Sequence, residues 1–290
     1  MQENIGVFSD THALYDGSHG GLPSPTYHLP LVTRLNQRGI SFNINMGDCI
    51  QINTGQPGWD QFNDITAPLQ NGNYYPMLGN HDDLPGFLGF FNAVGGPVSE
   101  YGDYNYHRVI GTQFLFVFLD VHTKTFNYGP LSNWLDAILT QYAGQAFKFV
   151  CFHMPPYTTG GRGSNTAARD ALCPVMQAHG VDICFTGHIN VTYERYLIND
   201  IHYIVSAMAG APQSLNQRDV AELSPLRQEL YEGSNYMELT LTSTVTQLKA
   251  VVKTFNIPYW NEIDAVTIDK SDTLPDPPDP PGTKKDPAQE

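Results

Sequence analysis

Five short segments of this 290-residue chain place metal-binding side chains directly after predicted strands. The segments are Ser9-Asp10-Thr11-His12, Gly47-Asp48, Gly79-Asn80-His81-Asp82, Cys151-Phe152-His153 and Thr186-Gly187-His188-Ile189-Asn190. Asp, Asn and His are the usual protein ligands of hard and borderline divalent cations. Loops at the carboxyl ends of strands are where such a site is expected in an open α/β sheet. A single segment of this kind is most often a turn, whereas five in this order predict a metal site.

A paired metal site of this composition suits the hydrolysis of phosphate esters. Two ions about 3.5–4 Å apart activate a bridging water and neutralise the charge of the ester oxygens. Such a pair needs one bridging carboxylate and separate ligands on either side, and the five segments supply that set. A single structural Ca²⁺ ion is the alternative. Several imidazoles are rare around Ca²⁺, which favours a pair of transition metals.

The first half of the chain alternates between strand-like and helix-like patterns, which positions the first three segments. Strands are predicted at Ile5–Phe8, Ile40–Met46 and Tyr74–Leu78, separated by a helix from His28 to Gly39 and a shorter one across Trp59, Phe62 and Ile65. This order implies parallel strands with right-handed crossovers. Residues 13–27 have no hydrophobic period and are predicted to form a loop over the site.

The second half positions the other two segments in the same way. Strands are predicted at Phe114–Val121, Phe147–Phe152, Val181–Phe185 and Tyr203–Ala207, with helices over Leu131–Tyr142 and from an Asn165 cap towards Gly180. Three further runs, Tyr236–Leu241, Val245–Val252 and Ile263–Ile268, alternate as a strand meander. Residues 84–112 and 213–234 show no regular period and are predicted to be irregular.

The end of the chain differs from the rest in composition. Six of the last twenty residues are proline, with Asp, Gly and Lys between them, and such a segment cannot form a core. We therefore predict one catalytic domain over residues 1–270 and a Pro-rich disordered tail or linker over residues 271–290.

Charge and hydropathy argue against several classes of partner. Fifteen Lys and Arg against 29 Asp and Glu give a net charge of −14, which disfavours nucleic acid and anionic membrane surfaces. No apolar run approaches the roughly 20 residues of a membrane span, and we predict no signal peptide. The charged fraction of 15% favours a secreted or periplasmic protein, with a cytoplasmic one as the alternative. Four cysteines without a CxxC pair favour buried thiols over a thiolate zinc site.

Together the motifs resemble those of the calcineurin-like metallophosphoesterases. The D-x-H, G-D, G-N-H-D/E, H and G-H-x-H series of that family matches Asp10 and His12, Asp48, Asn80-His81-Asp82, His153 and His188. Features of the bacterial branch related to purple acid phosphatases are Gly129-Pro130-Leu131, His153-Met154-Pro155-Pro156-Tyr157, Gly180-Val181-Asp182 and Tyr193-Glu194-Arg195. The resemblance covers about residues 4–269. It implies a four-layer αββα sandwich of two mixed β-sheets flanked by helices, with a dimetal site at the strand ends.

The resemblance also implies a role for each matched residue. Asp10 and His12 would bind the first metal, Asp48 would bridge both metals, and Asn80, His153 and His188 would complete the second site. His81 would act as the general acid, oriented by Asp82, for which a plain turn residue is the alternative. The implied activity is that of a metal-dependent phosphoric ester hydrolase, with phosphomonoesters favoured over phosphodiesters.

Two positions depart from the family pattern. Asn190 stands where the last His is expected, and the tyrosine of the purple enzymes is absent after Asp48. A neutral amide oxygen is a harder and weaker ligand than imidazole, so the first site should prefer Mn²⁺, Mg²⁺ or Fe over Zn²⁺. A metal-binding pseudoenzyme, with its first site weakened by Asn190, is therefore the alternative function. The intact His81 and Asp82 favour the enzyme.

One cationic residue is a candidate for binding the substrate. Arg162, in the Gly160-Gly161-Arg162-Gly163 loop after His153, is placed to contact a phosphate group, and a solvated loop arginine is the alternative. The loops at residues 13–27 and 84–112 should decide between mono- and diesters.

Overall fold

The computed structural model describes residues 1–16, 24–70, 73–93, 100, 104–121, 128–210 and 223–274. Its strands are β1 (Gln2–Phe8), β2 (Phe42–Asn45), β3 (Tyr74–Pro76), β4 (Tyr106–Ile110), β5 (Phe114–Leu119), β6 (Phe147–Phe152), β7 (Ile183–Thr186), β8 (Thr192–Ile198), β9 (Ile201–Val205), β10 (Arg227–Glu232), β11 (Asn235–Ser243), β12 (Leu248–Asn256) and β13 (Glu262–Asp269). Its α-helices are α1 (His28–Gln37), α2 (Gly55–Thr66), α3 (Leu84–Ala93), α4 (Tyr128–Gln141) and α5 (Thr166–Ala178).

The first sheet has the strand order β13-β12-β11-β1-β2-β3. Strands β1, β2 and β3 are parallel, as the alternation of strands and helices predicted. The predicted meander of β11, β12 and β13 is antiparallel and joins the sheet through β1. Because β1 and β2 are parallel neighbours, the loops that follow them, with Asp10 and Asp48, emerge at the same edge.

The second sheet has the order β10-β8-β9-β7-β6-β5-β4. Strands β5, β6, β7 and β9 are parallel to their neighbours in this run. All six residues of β5 are buried, as expected for a parallel strand covered on both faces. The loops after β6 and β7 carry His153 and His188 to the same edge of this sheet.

The two sheets face each other and the helices cover their outer surfaces. Phe116 of β5 and Phe42 of β2 meet edge to face between the sheets, with ring centroids 6.1 Å apart. On the opposite face of the first sheet, the ring of Tyr74 in β3 contacts the ring of Phe62 in α2. On the second sheet, Ser132 Oγ of α4 donates to the carbonyl of Ala171 in α5 at 2.9 Å. The predicted αββα sandwich of two mixed sheets is confirmed.

Some regions predicted as irregular contain regular structure. Helix α3 lies within residues 84–112, and strand β10 lies within residues 213–234. The rings of Phe87, Phe90 and Phe91 cover one side of α3, and its three glycine and proline residues hid this period in the sequence. Strand β8 was also missed, because tyrosines and charged residues alternate in it without an apolar run.

The packed domain extends slightly beyond the predicted boundary at residue 270. Lys270 forms an ion pair with Asp182 and donates to the carbonyl of Ala146. A short 3₁₀ helix, Ser271–Thr273, follows, and Leu274 packs against the core. Residues 275–290, which include the prolines of the predicted tail, lie outside the described residues, as do 17–23, 94–99, 101–103 and 211–222 in the predicted loops.

Two expectations from composition can be compared with the described residues. All four cysteines are free and buried, in agreement with their interpretation as small apolar residues. Within the ranges given above, no helix combines the length and the apolar character required to cross a membrane.

Candidate metal centre

Backbone hydrogen bonds join the loops that carry the predicted ligands. The amide of Asp10 donates to the carbonyl of Gly47 at 3.0 Å, and that of His12 donates to the carbonyl of Asp48 at 3.0 Å. On the other sheet, Gly187 N donates to the carbonyl of His153 at 2.9 Å. The loops after β1 and β2, and those after β6 and β7, are therefore held as two pairs, and the candidate ligands lie between them.

Asp48 lies at the centre of the site and is fully buried. Its Oδ2 is 3.7 Å from His12 Nε2 and 3.9 Å from His81 Nε2, and its Oδ1 is 3.2 Å from His153 Nε2. Potential ligand atoms of His12, Asp48 and His81 lie within 4.8 Å of one another, and so do those of Asp48, His153 and His188. One carboxylate thus belongs to two adjacent clusters, the position that was predicted for a bridging ligand.

Asp10 and Asn80 complete the two sides of this arrangement. Asp10 Oδ1 is 3.6 Å from His12 Nε2, while its Oδ2 accepts a hydrogen bond from the amide of His188 at 2.8 Å. Asn80 Oδ1 is 3.2 Å from His153 Nε2. Six of the seven predicted ligands, from Asp10 to His188, are therefore brought together, although they are spread over about 180 residues of sequence.

Buried polar atoms without a partner show that this donor set fits a metal pair. Asp48 Oδ2 and His188 Nδ1 are buried and have no hydrogen-bond partner among the described residues. Leaving a buried carboxylate oxygen unpaired is costly, so a cation is the expected partner. His153 Nδ1 donates to the carbonyl of Met46 at 2.8 Å, which fixes the tautomer and leaves Nε2 free to bind a metal.

The electrostatics of the site depend on burial and on close pairs of acids and imidazoles. Burial alone would raise the pKa of Asp48, but the charge and hydrogen bond of His153 more than offset it and hold the pKa well below its usual range. Burial lowers the pKa of His153, but the neighbouring Asp48 carboxylate outweighs it and raises that pKa to about 9. Burial lowers the pKa of His81 to about 4, with contributions from His12 and Arg162.

The backbone of the site is unusual for residues other than glycine. Five of the candidate residues have positive φ angles, namely Asp10 at 54°, His12 at 45°, Asp48 at 52°, His188 at 74° and Asn190 at 69°. Left-handed backbone is uncommon outside glycine and costs free energy, and it tends to cluster at functional sites. The surrounding loops therefore enforce these conformations to aim the side chains at one point.

Asp82 has a different contact from the one predicted. Its Oδ1 accepts from the amide of Ile50 at 3.1 Å and its Oδ2 accepts from the amide of Gly79 at 2.9 Å. Neither carboxylate oxygen is bonded to the ring of His81 in the hydrogen bonds of these residues. Burial, followed by the charge of Asp48, raises the pKa of Asp82 to about 7. Asp82 therefore fastens the Asp48 loop to the Asn80 loop, and its effect on His81 passes through the backbone.

Gln51 contacts the site and was not identified from the sequence. Its Oε1 lies 3.0 Å from His12 Nδ1 and 3.2 Å from His81 Nδ1. A glutamine three residues after a ligand carries no signal of its own. Its spacing from Asp48 on a tight loop is the only feature that could have suggested it.

Asn190 was predicted to bind the first metal through its amide oxygen, but its amide nitrogen faces the site instead. The hydrogen-bond network assigns its Nδ2 towards Asp10 Oδ1, at 2.7 Å, and towards His12 Nε2, at 3.2 Å. Its Oδ1 then accepts from Arg162 Nη2 at 2.9 Å. The structure thus brings Arg162, the predicted substrate residue, to the edge of the site.

The loop that carries Arg162 is held by a buried acid. Glu194 is completely buried and accepts hydrogen bonds from Thr158 Oγ1 at 3.2 Å and from the amide of Thr159 at 2.8 Å. The central residue of the Tyr193-Glu194-Arg195 motif therefore fixes the loop that carries Arg162. The two flanking residues, Tyr193 and Arg195, donate hydrogen bonds to Asp264 of β13 at 2.7 and 2.6 Å.

A cavity of about 550 Å³ opens beside the candidate metal ligands and Arg162. Asn80 and His188 line its metal side, Arg162 and the start of α5 line a second side, and Tyr128 and Met154 a third. It is large enough for a phosphate ester with a small organic group.

Comparisons with known proteins find a sequence relative and solved structures that share this fold. Purple acid phosphatase 18 of Arabidopsis thaliana is 28% identical in a 166-residue alignment that covers 51% of this chain and 37% of the plant protein. The purple acid phosphatase PPD1 of yellow lupin (Lupinus luteus) superposes with a TM-score of 0.74 at 16% identity, over 93% of this chain and 54% of that one. GAP50, described as the anchor in the inner membrane complex of Plasmodium, superposes with a TM-score of 0.69 at 16% identity, over 92% and 89% of the two chains.

The family assignment comes from the sequence itself. The profile of the calcineurin-like phosphoesterases matches residues 3–191, a range that contains every candidate ligand from Asp10 to Asn190. That match and the clustering of these residues at one edge of the sandwich give the same answer: the chain belongs to the calcineurin-like phosphoesterase family.

Proposed function

We propose that this protein hydrolyses phosphate esters with a pair of divalent metal ions. The observation that carries the proposal is the position of Asp48, whose carboxylate lies between His12 on one side, at 3.7 Å, and His153, at 3.2 Å, with His188 on the other. A purely structural ion needs only one set of ligands. A shared carboxylate between two sets of ligands is the arrangement that two-metal hydrolysis requires.

The ligands divide between two sites. Asp10 and His12 would hold the first metal, Asn80, His153 and His188 the second, and Asp48 both. Bound there, a metal pair supplies Lewis acidity towards water and the phosphoryl oxygens. Of the candidate ions Mn²⁺, Fe, Zn²⁺ and Mg²⁺, the oxygen donors on the first site favour the harder ones.

His81 is the proposed general acid. Its ring is partly exposed, with 12% of the side chain accessible, and its Nε2 is directed towards the Asp48 carboxylate from the solvent side. A leaving-group oxygen bound over the site lies on that side. A phosphate group beside the ring also favours its protonated form, because an opposite charge within about 4–6 Å stabilises the charged state.

Arg162 supports a preference for phosphomonoesters. Its guanidinium reaches the metal site through Asn190 and lines the cavity next to it. A monoester dianion has one more charge than a diester, and a bidentate guanidinium is well suited to its terminal oxygens. The monoester preference, rather than diester hydrolysis, rests on this one cation.

A metal-dependent binding module is the second candidate. Asn190 in place of an imidazole weakens the first site, and the structural relative GAP50 is described as an anchor. A binding module gains nothing from His81 at the mouth of the site, so turnover distinguishes the two.

The test is hydrolysis of 4-nitrophenyl phosphate and of bis(4-nitrophenyl) phosphate with Mn²⁺ or with a chelator. We expect metal-dependent turnover, faster on the monoester. Asp48→Asn should lower it by about a thousandfold, because several kcal/mol of stabilisation are lost, and should reduce the bound metal per chain. Asp170→Asn, at a carboxylate with 74% exposure, is the matched control. Full activity in the chelator, or two metals and normal turnover in Asp48→Asn, would refute the proposal.

A further inference from the structure

The side chain of Gln51 contacts both a proposed metal ligand and the proposed general acid. Its Oε1 is 3.0 Å from His12 Nδ1 and 3.2 Å from His81 Nδ1. The two imidazole rings are themselves in edge contact, with centroids 4.7 Å apart and planes at 82°. One carbonyl oxygen has two lone pairs, so it can accept from both rings.

The contacts of His12 determine which of its ring nitrogens has the proton. Its Nε2 faces Asp10 and Asp48, and it accepts from the Asn190 amide nitrogen at 3.2 Å. The Asn190 N–H at Nε2 and the Gln51 oxygen at Nδ1 therefore favour the neutral ring with its proton on Nδ1, which donates to Gln51. This tautomer leaves Nε2 with the lone pair that a metal ligand needs.

His81 has two alternative partners at Nδ1. The Gln51 oxygen accepts from a protonated Nδ1, whereas the amide of Ile52, 3.3 Å away, donates to an unprotonated one. Only the first state keeps a proton on Nδ1 throughout the cycle. The ring then gives up the Nε2 proton to the leaving oxygen as the ester P–O bond breaks, and it returns to the neutral form.

The position of Gln51 is fixed by its own backbone. Its amide donates to the carbonyl of Ala13 at 2.9 Å, and its carbonyl accepts from Thr54 Oγ1 at 2.6 Å. The loop after Asp48 is therefore tied to the loop after His12 on one side and to the start of α2 on the other. A side chain on a loop fixed in this way can hold the rings of His12 and His81 in constant positions relative to each other.

We infer that Gln51 is a positioning residue that accepts a hydrogen bond from His12 and His81 together, and so fixes the Nδ1–H tautomer of both. This inference deepens the proposed function and rests on it for the role of His81. Outer partners of this kind are typically worth 10–100-fold in metal affinity or activity.

The direct test does not depend on activity. Ring ¹⁵N NMR spectra of the metal-free protein, recorded at a pH at which both rings are neutral, should show Nδ1–H tautomers for His12 and His81. In Gln51→Met, which has similar length but no acceptor, the proton of His81 should move to Nε2, because Ile52 can then donate to Nδ1. Gln51→Glu keeps an acceptor oxygen and should retain the original tautomers.

The functional test separates positioning from folding. Gln51→Met should weaken Mn²⁺ binding and should lower kcat on an alkyl phosphate by about 10–100-fold, with little change in KM. On 4-nitrophenyl phosphate the loss should be much smaller, because nitrophenolate leaves without a proton. Gln61→Met is the matched control, since Gln61 Oε1 accepts only from the amide of Leu14, at 2.8 Å, in the hydrogen bonds described.

The outcomes distinguish this inference from the proposed function. Unchanged tautomers in Gln51→Met overturn the inference whatever the activity, and so does an equal loss on alkyl and aryl esters. A wild-type protein that hydrolyses neither ester refutes the proposed function, while the NMR result still decides the role of Gln51.

Discussion

Replacing His28 with leucine should remove about 2 kcal/mol of the pH dependence of stability between pH 7 and pH 5. His28 begins α1 and is completely buried, with its ring stacked on Phe62 at a centroid distance of 5.6 Å. Neither ring nitrogen has a partner among the described residues. Burial of the ring therefore lowers the pKa of His28 to about 3, from an ordinary value of 6.5.

The direction in which stability changes with pH depends on whether the folded or the unfolded state binds a proton at His28. Between about pH 3 and pH 6.5 the unfolded chain protonates His28 and the folded protein does not. The stability that comes from keeping this ring neutral is present at neutral pH and is lost as the pH falls below 6.5. The slope is about 1.4 kcal/mol per pH unit, so the 1.5 units down to pH 5 correspond to about 2 kcal/mol.

Urea denaturation of both proteins at pH 7 and pH 5, in a chelator, measures this difference. The chelator removes metal binding, which would otherwise add its own pH dependence. Packing changes caused by the leucine cancel, since each protein is compared with itself. Titration of the other groups acts equally in both proteins. Equal losses of stability in the wild type and in His28→Leu would refute the reasoning.

Three further predictions concern the metal centre and the end of the chain. Asn190→His should tighten the first metal and shift its preference towards Zn²⁺, because imidazole is the better borderline ligand; identical metal titrations before and after would show that residue 190 does not reach the metal. Gly79→Ala should destabilise the protein by about 1–3 kcal/mol and weaken metal binding, because the added Cβ would lie 2.0 Å from the backbone nitrogen of Asp48. Thermal unfolding and metal titration of the variant test this prediction. Truncation after Leu274 should leave the melting temperature unchanged, whereas truncation after Asp269 should lower it by removing the Lys270–Asp182 ion pair; equal melting temperatures would contradict this difference.

Much of the site is encoded locally and could be predicted. Each candidate ligand follows an apolar strand within a few residues, so the position of His153 or Asp48 depends only on where β6 or β2 ends. Burial of apolar side chains sets the strand pattern, and a strand that ends in an Asp or His aims that residue at the edge of the sheet. The family motifs added the division of the ligands between two metals.

Contacts between distant loops were decided only by the tertiary structure. The family resemblance assigned Asp82 to orient His81, but its carboxylate accepts a hydrogen bond from the amide of Ile50, 32 residues away. Gln51 has no chemistry of its own and gains a role only because His12 and His81 converge on it. In the same way, the left-handed backbone at His12 and His188 is imposed by the surrounding loops. Sequence patterns show which segments are buried. The hydrogen-bond partner of a polar side chain depends instead on which loops the two sheets bring within about 3 Å of that side chain.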